Sequence, residues 1–494
     1  MNGVSGNIAL LTSAHVAAFN IALCARLKQI TGRKIIFYVQ GAESVRKHRR
    51  FVEDGTLDEV VDCGLFHARC FEATESGDVF ERARRLEDRL GVSYNTLFMA
   101  RREAGRGFAL GGLYHPRSPF SDRVTYRQLV HGQSEMLDFW QREIERNDIG
   151  LFLNGTLEID VVCREMGISF RTMYSARYRN RFYWAHDVRV APPGIEQAYI
   201  ECGEGEREPV CLDTPYKHEV ETRKLFVGEN GLARFVRFAY AVTLRNLYLR
   251  FKGYRTPATN YLSDSIRYHW NYYRGGQTLR PPLTVPLASI KDRPFVFFPL
   301  QTEPEFSLQV MSPECFCQLG VIASLARDLP AGVLLAVKET IWGLGRRPAD
   351  FYRQISEFKN VVLLDVREQG LEVVKRSAAV ATISGSAGIE AALIGRPAIL
   401  FGRHNGYGFL PHVAQIGREE DLKPALERVF AGKIEPLEAV QAGARYGAAL
   451  ERISFDLGSF AAFKPETWVP EHAVTAVENL LVSLAHGSTE NLTD

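Results

Sequence analysis

The sequence predicts an α/β protein built as two facing, doubly wound domains joined by an irregular helical connector. Three observations carry this. Short apolar runs alternate with helical periodicity from residue 7 to residue 63, the rhythm returns from Phe295, and proline-rich sequence interrupts it in between. The 494 residues suit about three structural units at ~150 each. A composition of 46% hydrophobic, 24% charged and 11% aromatic residues excludes a disordered, collagenous or coiled-coil chain. The net charge of +2 excludes a polycation that coats nucleic acid.

In chain order, 7–12 (NIALLT) reads as a strand, a turn follows at Ser13–His15, and a helical pattern runs to Gly32. Strands are expected at 34–39 and 59–63, helices over 78–147, and a further strand–helix–strand unit at 149–174. The stretch 190–290 carries Pro192–Pro193, Pro209, Pro215, Pro281–Pro282 and Pro286 around a helix from Leu232 to Phe251, and reads as the connector. Strands are then expected at 295–300, 333–337, 361–364, 379–383 and 398–401 with helices between them, and helices again over 420–485. The domains are therefore drawn as 1–190, 191–290, 291–425 and 426–494. Eight scattered cysteines without a CxxC pair predict reduced thiols rather than a disulfide framework or a zinc knuckle. The apolar run 7–25 is interrupted by Thr12, Ser13, His15 and Asn20 and has no basic residue before Arg26, so a cytosolic chain is expected.

Five features carry possible chemistry. Ser384-Gly-Ser-Ala-Gly388 links a strand to a helix that Gly395 and Pro397 close. Small residues there let a ligand approach the backbone, and the helix N-terminus favours phosphate. A tight turn alone is the plainer reading. Glu390, expected in the first helical turn, complements the dipole or accepts from donor hydroxyls. Gln301, Glu303 and Glu305 follow a strand directly, where open α/β sheets bind ligands. Lys338, also past a strand, suits a phosphate, with Arg346 and Arg347 adding to the field; a surface Lys–Glu pair is its plainer reading. His15, at the first strand–helix turn, suits proton abstraction from an acceptor hydroxyl or a merely structural role. A basic–aromatic belt spans 234–280 with Asp264 as its one acid, suiting nucleic acid, an anionic glycan or a lipid surface, or a helix packing its aromatics inward with arginine outside.

FFPLQTEPEF (297–306), VKET (337–340) and SGSAGIEAALIGRPAILFG (384–402), in that order, resemble the second half of bacterial capsular polysaccharide biosynthesis proteins, with weaker support from RYRNRFYW (177–184). The resemblance covers roughly 294–418. Where the family has a Lys-Glu-His-Pro-like motif this chain has Lys338-Glu339-Thr340-Ile341. The resemblance implies two Rossmann-like domains of the GT-B type and a metal-independent glycosyltransferase without a cofactor. It implies a nucleotide-sugar donor against Ser384, Gly385, Ser386 and Gly388, with Glu390 on ribose or sugar and Lys338 on phosphate. Gln301 and Glu305 match its strand-end motif, and Glu305 or His15 would be the base. An anionic or lipid-linked glycan acceptor, and association with the inner membrane surface, complete the expectation; nucleic acid does not enter it. A sugar-nucleotide epimerase and a non-catalytic polysaccharide-binding subunit are the alternatives.

Overall fold

A computed structural model describes residues 5–72, 78–99, 101, 103–104, 115–212, 231–302, 306–315, 317–348, 350–461, 464 and 467–486. In chain order its main elements begin with β1 (Asn7–Leu11), α1 (Ala17–Thr31), β2 (Ile35–Val39), β3 (Glu59–Asp62), β4 (Ile149–Leu153), β5 (Ser169–Ser175) and β6 (Arg181–Ala185). The helices α2 (Leu232–Phe251) and α3 (Leu262–Thr278) follow. Then come β7 (Phe295–Pro299), β8 (Leu334–Lys338), β9 (Val361–Leu364), β10 (Ala379–Thr382), α4 (Ser386–Leu393), β11 (Ala398–Leu400) and β12 (Val413–Gln415). The short strand β13 (Phe455–Asp456) and α5 (Pro470–His486) end the described chain.

The chain divides into two compact units. One comprises Met1–Leu97, Val124–Ile195 and Leu450–Asp494; the other comprises Phe98–Arg123 and Glu196–Ala449. Most of the expected connector therefore lies inside the second unit, and the expected C-terminal helical region is shared between the two.

The first unit holds a seven-stranded sheet in the order β13-β6-β5-β4-β1-β2-β3. It is parallel from β5 to β3, with β6 and β13 antiparallel at one edge. Every residue of β2 is buried, as expected of a strand covered on both faces. The cover on one side includes α5, whose Ala473, Ala476, Val477, Leu480 and Leu484 join the core of β1, β2 and α1. Hydrogen bonds from Trp184 and Arg171 tie α5 to the sheet. Trp184 Nε1 donates to the Ala476 carbonyl (2.9 Å), and Arg171 donates through Nε to Ser483 Oγ (3.0 Å). Arg171 is buried, and that burial pulls its pKa down to about 10.

The second unit holds a six-stranded, wholly parallel sheet in the order β12-β11-β10-β7-β8-β9. Phe295, Val296, Phe297 and Phe298 are all buried, so β7 has apolar cover on both faces. Both units are thus Rossmann-like α/β layers. His412 Nε2 donates to the Ala392 carbonyl at the end of α4 (3.0 Å), and burial lowers its pKa to about 4.

Burial chiefly, with Asp187 adding repulsion, raises Asp160 from 3.8 to about 6. Its folded pKa lies above its unfolded one, so the folded state holds the extra proton between these values. Stability from this group is therefore present at about pH 4 and is lost as pH rises through about 6. Asp160→Asn is expected to raise the unfolding free energy at pH 7.5 by up to about 3 kcal/mol and to change it little at pH 4. Equal effects at both pH values in urea titrations would refute the burial account.

Candidate functional site

Strand order reverses beside β7 in the second unit, because β8 and β9 extend to one side and β10, β11 and β12 to the other. Open α/β sheets bind ligands at the carboxyl ends of the strands flanking such a reversal. Gln301 follows β7, and the turn Ser384–Gly385 follows β10, so two motifs 83 residues apart meet there.

The meeting is a hydrogen-bonded one. Turned toward the SGSAG turn, the Gln301 carboxamide oxygen accepts from the amides of Gly385 (2.5 Å) and Ser384 (3.3 Å). Thr382 Oγ1 also accepts from the Gly385 amide (3.0 Å), and Ser384 Oγ donates to the Ser307 carbonyl. The backbone of Gln301 is itself clamped. Gln318 Oε1 accepts from its amide (2.6 Å), Gln318 Nε2 donates to its carbonyl (2.9 Å), and Arg347 donates to the same carbonyl.

The glycines of the turn are engaged by the protein itself. A Cβ on Gly388 would stand 2.1 Å from Tyr407 Oη, and one on Gly385 would stand 2.8 Å from Thr382 Oγ1. Close packing therefore accounts for both. Ser386, partly exposed, opens α4 behind the extended Gly385. Glu390 is not in the first turn: it is the fifth residue of α4 and is buried, one turn deeper than the sequence reading placed it.

Lys338 ends β8, and its carbonyl accepts from the Leu300 amide (2.8 Å), so it stands beside the end of β7. Arg347 does not add to an open field. Its guanidinium is buried against Glu339, with Nε 2.9 Å from Oε2. Glu339 also accepts from Tyr352 Oη (2.8 Å) and the Thr340 amide (2.7 Å). This pair, eight residues apart across a loop, has no periodic signal and was not read from the sequence as structural. Glu303 and Glu305 lie outside the described residues.

In the first unit the order reverses between β1 and β4. A pocket of about 970 Å³ opens there, lined by Thr12, His15, Asn20, Gln40, His48 and Asn154 among others. His15 is exposed within a short 3₁₀ turn, Ala14–Val16, just before α1. Asn20 Nδ2 donates to Thr12 Oγ1 (2.9 Å), which fixes the strand-to-helix turn on which His15 sits. Asn154 takes a left-handed backbone (φ 57°), and its Oδ1 accepts from the Met173 amide (3.0 Å). Lys47, His48 and Arg50 line the same pocket and give its wall a basic character.

The basic–aromatic belt forms a helical hairpin of α2 and α3; α3 was not anticipated. A pocket of about 210 Å³ lies against it, lined by Arg234, Phe238, Tyr268, His269, Trp342 and Arg346 among others. The Arg346 guanidinium sits 4.7 Å from the Tyr268 ring centre. Asp264, the belt's one acid, is buried and holds Arg117 (2.9 Å). A Cβ on Gly275 of α3 would stand 2.3 Å from the Gly345 amide, so the hairpin docks on the loop after β8 backbone to backbone. Among the described residues no cluster of His, Cys, Asp and Glu is arranged to hold a metal ion.

Two Rossmann-like units with polar groups gathered at their strand-order reversals define the class: a doubly wound α/β protein, the kind of fold in which ligands bind at strand ends. Residues 230–409, which include the reversal at β7 and the hairpin, match the family model described as capsule polysaccharide biosynthesis protein. A comparison with curated protein sequences found no match. Among solved structures, the β-Kdo 2,7 transferase KpsC of Thermosulfurimonas dismutans aligns at 13% identity over 62% of this chain and 79% of its own, with a TM-score of 0.31. MnaA of S. aureus with UDP aligns at 11% identity over 91% and 95%, with a TM-score of 0.30. The UDP-GlcNAc 2-epimerase of Neisseria meningitidis aligns at 10% identity over 90% and 98%, with a TM-score of 0.25. Scores this low do not establish a common arrangement of the whole chain.

Proposed function

We propose that the chain is a glycosyltransferase that moves a sugar from a nucleotide-activated donor onto a growing capsular or other surface polysaccharide. The observation that carries this reading is the junction of Gln301 with the Ser384–Gly385 turn, at the strand-order reversal inside the segment that matches the capsule family model. The acceptor hydroxyl attacks the anomeric carbon, the bond from that carbon to the phosphate oxygen breaks, and the nucleotide leaves with its electron pair. Ser386 and the first amides of α4, with Lys338 alongside, stabilise the phosphate charge that develops. Gln301, Ser384, Gly385 and Gly388 hold the turn in shape for this, and buried Glu390 supports it from beneath. Glu303 and Glu305 supply donor-hydroxyl contact and the base, with His15 as the competing base. The basic wall of the first unit's pocket suits an anionic or lipid-linked glycan acceptor. The proposed setting is the cytoplasm, at the inner membrane surface. Among the described residues no helix is long and apolar enough to cross a membrane.

Thermal unfolding with single nucleotides tests the donor site. One nucleotide at a hundred times its dissociation constant is expected to stabilise the protein by about 2.7 kcal/mol. Ser386→Glu is the sharper probe than a change at Gly385, whose surroundings are crowded. An acid in the first turn of α4 suits the helix dipole, so the variant folds, yet it repels phosphate. The nucleotide shift should vanish in it. A full shift in the folded variant would move the phosphate site elsewhere, and turnover of sugar nucleotide without acceptor would point to epimerisation.

A further inference from the structure

Helix α2 is inside out. None of its 20 residues is buried, and its outward face is apolar. Leu232, Val236, Tyr240, Leu244, Leu247 and Phe251 recur every three or four residues and are all exposed, Phe251 to 86%. That spacing sets them on one side of a helix, as a stripe about 28 Å long at 1.5 Å per residue. The opposite side packs on α3, where Phe235 meets Trp270 (5.1 Å between ring centres) and Phe238 stacks on His269 (4.9 Å). The sequence allowed a helix with its aromatics inward and arginine outside; the outward side in fact carries both. A contiguous exposed apolar stripe of this size marks an interaction surface.

Its charges say what kind. Arg237 and Arg250 are exposed and flank the stripe on its two sides by helical rotation. Residues 231–263 contain no Asp or Glu, while Arg234, Arg237, Arg245, Arg250, Lys252 and Arg255 fall among them. A second copy of the same face would set arginine against arginine. A surface with an apolar interior and a negative rim matches instead, and a helix of apolar stripe and basic flanks is the form that lies in such an interface.

We propose that α2 is an interfacial helix that docks on an anionic phospholipid bilayer, with the stripe from Leu232 to Phe251 entering the boundary between headgroups and acyl chains and the flanking arginines on the lipid phosphates. This deepens the membrane-surface part of the function proposed above and does not depend on the transfer chemistry. Flotation of the full chain with vesicles tests it. The protein should float with phosphatidylcholine vesicles containing phosphatidylglycerol, far less with phosphatidylcholine alone, and less as salt rises. Replacing Leu244, Leu247 and Phe251 together by glutamine should weaken binding by about 10²-fold or more. Replacing Arg237 and Arg250 together by glutamine should cost about 30-fold on the anionic vesicles and remove most of the preference for them. All five side chains are exposed, so both variants should keep the parent melting temperature and nucleotide shift; a lost nucleotide shift would concern the donor site, whereas flotation reads the helix alone. The proposal is overturned if the wild-type chain does not float with the anionic vesicles, or if the glutamine triple at Leu244, Leu247 and Phe251 floats as well as the parent. It is equally overturned if those substitutions abolish a dimer while vesicle binding is absent, which would assign the stripe to a second copy.

Discussion

Replacing Glu339 by alanine is expected to destabilise the second unit by about 3–5 kcal/mol, the cost of stranding one partner of a buried ion pair. The side chains of Arg347 and Glu339 are 0% and 2% exposed, so solvent cannot take over the lost interaction. The carboxylate serves three donors: Arg347, Tyr352 Oη and the Thr340 amide. Burial first, and the Glu339 charge second, hold the Tyr352 pKa well above its ordinary value, so the phenol stays a donor throughout the working pH range. Gly343 belongs to the same arrangement, because a Cβ there would stand 2.3 Å from Glu339 Oε1. Denaturant titration reads the effect. Glu339→Gln keeps the shape but leaves the Arg347 charge uncompensated, and should fall close to the alanine variant. Replacing Glu339 and Arg347 together by methionine should recover much of the loss, since no charge then remains buried. A single variant as stable as the parent would show that the pair does not hold the loop. The consequence reaches the site: Arg347 also donates to the Gln301 carbonyl, so the single variants should lose nucleotide affinity beyond their loss of stability.

This pair also shows where sequence reading stops. Lys338 and Glu339 read as one motif after a strand, and the strand end is where they are. Which of the two faces a ligand is decided by Arg347 and Tyr352, and no local pattern announces that encounter. The strands β7, β8, β9, β10 and β11 were legible because each is a short apolar run cut off by a polar or small residue. Helix α2 was legible to its last residue, since Gly231 and Gly253 bracket an unbroken helix-forming run. The antiparallel edge of β6 and β13 was not, because it is made by contacts some 270 residues apart, among them Arg181 Nε to Ser454 Oγ (2.9 Å). The return of α5 to the first unit is equally non-local: its apolar face fits any open core, and Trp184 and Arg171 add polar contacts that select this one. At the candidate site, Gln301 and the SGSAG turn were each legible as strand-end segments, but their convergence follows from the pairing of β7 with β10, which no local pattern announces. That the turn's amides would be taken up by Gln301 and Thr382, and its glycines by packing, follows from side chains that periodicity does not place.

Glu305→Gln is expected to lower the rate of sugar transfer by ~10²-fold or more, the scale of general-base catalysis, with the fold intact. The substitution preserves size and hydrogen bonding while removing the charge that takes the acceptor proton. Glu305 lies outside the described residues, and its assignment rests on its motif: it follows the β7 strand end in the segment that matches the capsule family model, four residues after Gln301. His15 competes on different grounds. It is exposed at the carboxyl end of β1, beside the strand-order reversal of its own sheet, in a pocket large enough for a sugar and walled by Lys47, His48 and Arg50. Its imidazole is the commoner proton acceptor near neutral pH. The two assignments separate in the pH profile as well as in magnitude. With a carboxylate base, the acid limb of kcat/KM falls in the carboxylate range and disappears in the glutamine variant. With an imidazole base, the limb persists in Glu305→Gln and is lost in His15→Ala. Near-full transfer by Glu305→Gln together with an inactive His15→Ala assigns the base to His15. Full activity in both variants removes both residues from the proton transfer, and the site built on them with it.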